Sequence, residues 1–121
     1  MQIAIPYHLE LAAAAVGTEY LPVYRKMTLK EVRLVANVTF AADGSNYVTL
    51  SIKKGSATLA TRATDTDALT AGASEALTLS GGEDLDFSDL DEVTIDLAKN
   101  GTPTPVTDFV ILFVFEPRRD V

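Results

Sequence analysis

The chain of 121 residues contains no cysteine, no tryptophan and one histidine. Without cysteine it has no disulfide framework, no thiolate metal site and no cysteine nucleophile. The single His8 has no nucleophile or orienting acid beside it in the sequence, so we interpret it as a solvent-facing strand residue rather than a general base. A glycosidase-like carboxylate pair is the remaining enzymatic alternative, but no pair stands out. We therefore expect no enzymatic activity, no catalytic residue and no cofactor.

Long apolar runs and an excess of basic residues are also missing. No run approaches the ~20 residues that span a bilayer, and the first residues lack the positive region of a signal peptide. Ten Lys and Arg stand against 17 Asp and Glu, a net charge of −7, and such a surface repels phosphate backbones. We expect a soluble, cytoplasmically made protein that binds neither membranes nor nucleic acids.

The acidic segment 83–92 is the best candidate for a metal site. Asp84, Asp86 and Ser88 occupy the first, third and fifth positions of a calcium-loop spacing. The sixth position, which needs glycine for a sharp turn, is Asp89, and the twelfth, which needs a bidentate Glu, is Ile95. We therefore predict no metal site and interpret the segment as a solvated acidic turn.

The most informative feature that is present is the run of seven apolar residues at 109–115. Its β-branched and aromatic side chains suit the middle of a sheet, and seven residues are too few for a helix with its own polar face. Burial of each such side chain contributes about 1.5–3 kcal/mol before the opposing ordering entropy. The run predicts a fully buried strand with both of its faces covered.

Alternation of apolar and polar residues predicts the other strands. The main alternating segments are 3–11, 20–24, 32–40, 48–53, 57–62, 76–80 and 93–97. A turn cluster at 43–46 predicts a hairpin between the third and fourth of these, and residues 64–74 predict a loop. Seven to nine strands with turns about every ten residues predict an all-β fold, an antiparallel β-sandwich of the jelly-roll kind.

Pro6 divides the start of the chain. Because proline donates no ladder hydrogen bond, the segment before it belongs at a sheet edge, or extends as an arm that pairs with a neighbour. We expect an N-terminal extended arm at residues 1–6 and a single β-sandwich domain at residues 7–121.

Several segments carry a resemblance to a known group of proteins. They are MTLKEVRLVAN at 27–37, NYVTLSIKKG at 46–55, LATR at 59–62, LTLS at 77–80 and FVFEPR at 113–118. In their order and cadence, over about residues 17–118, the chain resembles the small head decoration, or capsid cement, proteins of tailed bacteriophages. Those proteins have a jelly-roll β-sandwich.

The resemblance implies a structural virion protein on the outer surface of a phage capsid, where it clamps neighbouring subunits of the major capsid protein. It also implies a homo-oligomer, with a trimer favoured. On this hypothesis residues 1–7 contact a neighbouring protomer or the shell, with Ile3, Ile5 and Tyr7 at the interface. The alternative is a ligand- or carbohydrate-binding jelly-roll module of a phage fibre or baseplate, with its site in loops 64–74 and 83–92.

Overall fold

A computed structural model describes residues 3–11, 17–22, 26–36, 39–80, 82–88, 91–102 and 106–117. Within these ranges the chain forms nine β-strands, a 3₁₀ turn at Gly82–Leu85 and no α-helix. None of the described segments is a helix long and apolar enough to cross a membrane.

The strands form two antiparallel sheets that pack against each other. In spatial order, the first sheet contains β1 (Ile3–Leu11), β9 (Val106–Pro117), β3 (Met27–Val35) and β6 (Ser74–Ala76), with β7 (Asp86–Phe87) also paired to β3. The second contains β2 (Gly17–Pro22), β8 (Glu92–Asn100), β4 (Tyr47–Lys54) and β5 (Ala57–Ala63). We call them the β9 sheet and the β4 sheet. Most connections cross between the sheets, and this strand order is that of a jelly roll. The predicted all-β sandwich is confirmed.

The core lies between the sheets and takes alternate residues from each central strand. Its largest members on β9 are Ile111, Phe113 and Phe115, all fully buried. Phe87 of the short β7 packs edge-on against Phe115, with ring centroids 5.8 Å apart. The facing strands supply Val48, Leu50, Ile52, Val93, Ile95 and Leu97. The period-two pattern of the sequence therefore marks the core correctly.

The prediction that both faces of the apolar run 109–115 are covered is wrong for a single copy of the chain. Ile111 and Phe113 point into the core, whereas Val110 and Leu112, on the opposite face of β9, are only half-buried. In a two-layer sandwich the second sheet can cover one face of the first and no more. The outward face of β9 is therefore apolar and partly exposed.

The predicted hairpin between the third and fourth alternating segments is also wrong. β3 ends at Val35 and belongs to the β9 sheet, whereas the next strand belongs to the β4 sheet. Phe40, predicted to continue the strand, forms an isolated bridge with Leu69 through two backbone hydrogen bonds of 2.8 Å. The connection crosses between sheets, and the observed hairpin joins β4 to β5 around Gly55, which has a φ of 59°.

The predicted strand at 76–80 instead crosses one edge of the sandwich. The N–H of Leu77 donates to the carbonyl of Val32 in the β9 sheet at 2.9 Å. Three residues later, the N–H of Ser80 donates to the carbonyl of Leu59 in the β4 sheet at 2.8 Å. This segment closes part of the gap between the two sheets rather than lengthening β6.

An ion pair holds the same edge together. Arg62 of β5 donates its Nε–H to Glu75 of β6 at 2.6 Å. Its guanidinium also donates to the carbonyl oxygens of Ala63, of Asp67 at 3.1 Å and of Ala68 at 2.9 Å. The Arg62 side chain is 11% exposed and that of Glu75 is 40% exposed. One side chain thus ties the two sheets together and orders the loop that follows β5.

Two turns interlock at one end of the sandwich. The carboxylate of Asp43 accepts hydrogen bonds from the backbone N–H groups of Ser45 at 2.8 Å and Asn46 at 3.0 Å, and these bonds lower the pKa of Asp43. Asn46 Oδ1 in turn accepts from the N–H of Thr102 at 2.9 Å. Gly101 has a φ of 68°, and a Cβ at that position would stand 2.5 Å from the carbonyl oxygen of Ser45. Position 101 therefore requires glycine for its conformation and for the space it leaves.

We expect Gly101→Ala to lower the free energy of unfolding by about 1–3 kcal/mol, because the alanine is strained at this φ and pushes the facing turn away. Denaturant unfolding measures the change. Gly44→Ala is the matched control, since nothing lies within 4 Å of its Cβ position and its φ is not positive. Equal stability of the two variants would contradict the interlock.

Arg62→Ala is expected to lower the free energy of unfolding by about 1–3 kcal/mol, because Glu75 and three carbonyl oxygens lose their donor. Thermal and denaturant unfolding measure the loss. The control is Lys53→Ala, which breaks a more exposed pair with Asp96 at 3.2 Å and should cost below about 1 kcal/mol. If the two variants lose the same small amount, Arg62 does not hold the edge.

Asp43 gives the stability a component that depends on pH. Its pKa is lower in the folded chain, so the ionised form stabilises the fold fully above the unfolded pKa of about 3.9. That stabilisation is lost as the pH falls through the folded pKa. We therefore expect the stability difference between wild type and Asp43→Asn to shrink between about pH 5 and pH 2. A difference that stays constant in unfolding curves over this range would contradict the assignment.

Candidate interaction site

β1 lies at the edge of the β9 sheet, and β9 is its one partner among the strands that the structure describes. The register opposes three residues of β1 to core residues of β9: Ile3 to Phe115, Ile5 to Phe113 and Tyr7 to Ile111. Residues 3–6, expected to form an arm, are here the first part of this strand. An edge strand presents backbone N–H and C=O groups that a strand of another chain can bind.

The predicted interface residues Ile3, Ile5 and Tyr7 thus share one side of the edge strand. Ile5 is half-buried and packs against the core of its own chain. The side chains of Ile3 and Tyr7 lie outside the part of the chain whose side chains are described, as does that of His8. A contact of these residues with a neighbouring chain stays a prediction.

The outward face of the β9 sheet carries a second candidate surface. Val110, Leu112 and Val114 alternate along β9 with the core residues, and Val35 of β3 lies opposite Val110 in the register. Three of the four are half-buried, and Val114 is 9% exposed although it belongs to the outward face. We call these four residues the outer apolar strip. The sequence did not reveal it as a surface, because its residues belong to a run that predicts a buried strand.

One ion pair flanks the outer apolar strip. In the register Arg33 lies opposite Leu112 and Glu31 lies opposite Val114. Arg33 Nε is 2.6 Å from Glu31 Oε1, and the two side chains are 42% and 36% exposed. Arg33 also donates to the hydroxyl of Ser74 at 3.3 Å. These two charges therefore cancel, and Glu116, the next outward residue of β9 after Val114, places a negative charge at one end of the strip.

The outward face of the β4 sheet has a different chemistry. Its half-buried outward residues on the two central strands are Tyr47, Thr49, Ser51, Lys53, Thr94 and Asp96. Five of the six are threonine, serine or charged residues and the sixth is a tyrosine with a polar hydroxyl, which is typical of a sheet face that contacts water. The two outward faces of the sandwich are therefore unequal, and the apolar one belongs to the β9 sheet.

The acidic segment is built around a lysine. Lys54 Nζ donates to the carbonyl oxygen of Asp86 at 2.7 Å, lies 3.9 Å from Asp91 Oδ2 and sits 5.5 Å from the centre of the Phe87 ring. The carboxylate of Asp86 accepts a hydrogen bond from the Thr28 hydroxyl at 2.6 Å. Within this described part of the segment, the positive charge beside the carboxylates is the Lys54 ammonium.

The predicted calcium spacing is only partly described. The side chains of Asp84 and Asp89 lie outside the described residues. Among the side chains that are described, no group of three or more histidines and carboxylates is arranged to hold a metal ion.

The two loops of the alternative ligand-binding site lie at opposite ends of the sandwich. Loop 64–74 begins beside the start of β4, where the N–H of Thr64 donates to the carbonyl of Val48 at 3.0 Å. Segment 83–92 contacts Lys54, the last residue of β4. Val48 and Lys54 are six residues apart on the extended strand β4, so these two positions are separated by about 20 Å. The two loops therefore do not form one site.

An open polar cleft lies beside the edge that Arg62 closes. Its described lining residues include Thr61, Asp65, Thr66, Glu75 and Thr78. Among them Arg62 is the one cation, and its guanidinium already donates to Glu75 and to three carbonyl oxygens. The basic group of the cleft is thus engaged in holding the edge together.

No family model matches the sequence, and no curated protein matches it. Among solved structures, the chain is similar to a chain in the structure of the infectious bursal disease virus Gx strain, with a TM-score of 0.39 and 11% sequence identity. The match covers 95% of this chain and 32% of that one, so the chain spans about a third of its neighbour's length. A likeness of this degree carries no argument about function.

Proposed function

We propose that the chain is a structural virion protein that binds the outer surface of a phage capsid and clamps neighbouring subunits of the major capsid protein. The single observation that carries the proposal is the position of β1 at the edge of a jelly-roll sheet, with β9 as its one described partner. The resemblance to capsid cement proteins implies that the partner is the major capsid protein. The jelly-roll strand order agrees with the fold that this resemblance implies.

The proposed contact is the addition of a strand. A strand of the shell protein pairs with the free edge of β1, and main-chain hydrogen bonds supply the affinity. Ile5, half-buried at this edge, keeps part of its apolar surface available for the added strand. Binding of many copies over a shell then ties each shell subunit to its neighbours.

The electrostatics support a place outside the shell. A net charge of −7 repels the phosphate backbone of packaged DNA and leaves the outer surface as the compatible location. We further propose that the protein has no enzymatic activity. The described ion pairs join Arg33 to Glu31, Lys53 to Asp96, Lys54 to Asp91 and Arg62 to Glu75. All four connect or flank strands, which is a structural use of charge.

Co-sedimentation with undecorated phage shells tests the proposal. We expect the wild type to bind saturably and a variant that lacks residues 1–6 to lose binding, because the deletion removes half of the edge strand. A variant that lacks residues 118–121 is the matched truncation at the other terminus and should bind like the wild type.

Circular dichroism and thermal unfolding establish that the shortened variant is folded at the temperature of the binding assay. If a folded variant without residues 1–6 binds shells as well as the wild type does, the edge of β1 is not the contact. If the wild type ignores shells altogether, the proposed function is wrong.

A further inference from the structure

The unequal outward faces of the sandwich point to a partner that covers one of them. β9 is a central strand, yet Val110 and Leu112 on its outward face are only half-buried, and Val35 beside them extends the apolar surface. The equivalent positions on the central strands of the β4 sheet are tyrosine, threonine, serine, lysine and aspartate. A contiguous apolar strip on one face, beside an ordinary wet face, is a candidate interaction site.

We propose that the outward face of the β9 sheet is the interface between two copies of this chain, related by a twofold axis. This inference goes beyond the proposed function, because it concerns the contact between copies and does not depend on a shell. The partner that covers the outer apolar strip is then a second copy of the chain.

Charge favours a second copy as the occupant. Two chains with a net charge of −7 repel each other, so they can associate only through a surface that is locally neutral. The middle of the outer apolar strip meets this requirement, since the Glu31 and Arg33 charges beside it cancel, and Glu116 of β9 lies at the end of the strip. The rest of the acidic surface then faces water in both copies.

The register makes this face self-complementary. In the proposed dimer the twofold axis lies in the plane of the interface, perpendicular to the strands, and crosses β3 at the level of Val32. This axis lays β3 antiparallel on β3 of the second copy, so that Glu31 of each copy meets Arg33 of the other. Because Leu112 and Val114 are the β9 partners of Arg33 and Glu31, the same axis lays Leu112 on Val114 of the second copy. At the centre of the face apolar residues meet apolar residues and opposite charges meet, and at its two ends Val110 of one copy lies over Glu116 of the other.

The size of the face agrees with an interface of modest affinity. Three strands at about 4.8 Å spacing and nine residues at about 3.3 Å rise give a flat footprint of about 400 Å² on each copy. The relief of the side chains raises the contact area toward the ~500 Å² per copy at which specific interfaces begin. Two such sheet faces pack about 10 Å apart with interdigitated side chains, as in the core of the sandwich.

Light scattering and analytical ultracentrifugation of the wild type and three variants test the inference. We expect the wild type to have twice the 13.0 kDa mass of the chain. Leu112→Glu should raise the dissociation constant by ~100-fold or more, because it buries an unpaired charge at the centre of the face. Thr49→Glu makes the same change of charge on a central strand of the opposite outward face and should stay dimeric.

A third variant tests whether a loss of folding, rather than a loss of the interface, explains the loss of the dimer. Leu112→Thr introduces a β-branched residue that suits a strand and adds no charge, and it should weaken the dimer while circular dichroism shows the fold unchanged. A wild type with the mass of one chain overturns the inference, as does a Leu112→Glu dimer of unchanged affinity. A mass of three copies also overturns the twofold arrangement and agrees with the trimer that the resemblance implies. A monomer that still binds shells would contradict this interface alone and leave the proposed function standing.

Discussion

The structure depends on the burial of β9, the strand with the longest apolar run of the chain. Ile111, Phe113 and Phe115 form the middle of the core on one face of this strand. A sandwich of two layers has nothing further to place on the other face. The fold therefore fully buries one face of β9, and the other face of β9 forms the apolar outward surface of the sheet.

The β9 sheet has two candidate surfaces, and they offer different kinds of contact. The edge of β1, whose one partner among the described strands is β9, presents backbone groups, which bind a strand with little regard to its side chains. The outward face of the β9 sheet presents side chains and requires a partner of matching shape and charge. Because the edge and the face are adjacent on one sheet, a protein that uses both can bind a second copy and a shell at the same time.

Much of the strand content could be predicted from the sequence, because alternation directly reports which residues face a core. The alternation of Val93, Ile95 and Leu97 predicts the inward residues of β8 correctly. Alternation does not encode which sheet a strand joins, so the crossover after Val35 was mistaken for a hairpin. The pairing of Arg62 with Glu75, 13 residues apart, and the contact of Asn46 with Thr102, 56 residues apart, depend on the finished topology. The apolar face escaped prediction for a related reason: a run of apolar residues indicates burial but does not say whether the cover belongs to the same chain.

The most direct test of the account is whether the outward face of β9 is covered by a second copy in solution. Isotope-filtered nuclear Overhauser spectroscopy on an equal mixture of ¹³C-labelled and unlabelled protein detects methyl contacts between chains and ignores those within a chain. The account predicts intermolecular contacts between the methyl groups of Leu112 and Val114. Spectra in which these methyl groups show contacts only within their own chain, or contact water freely, would contradict it.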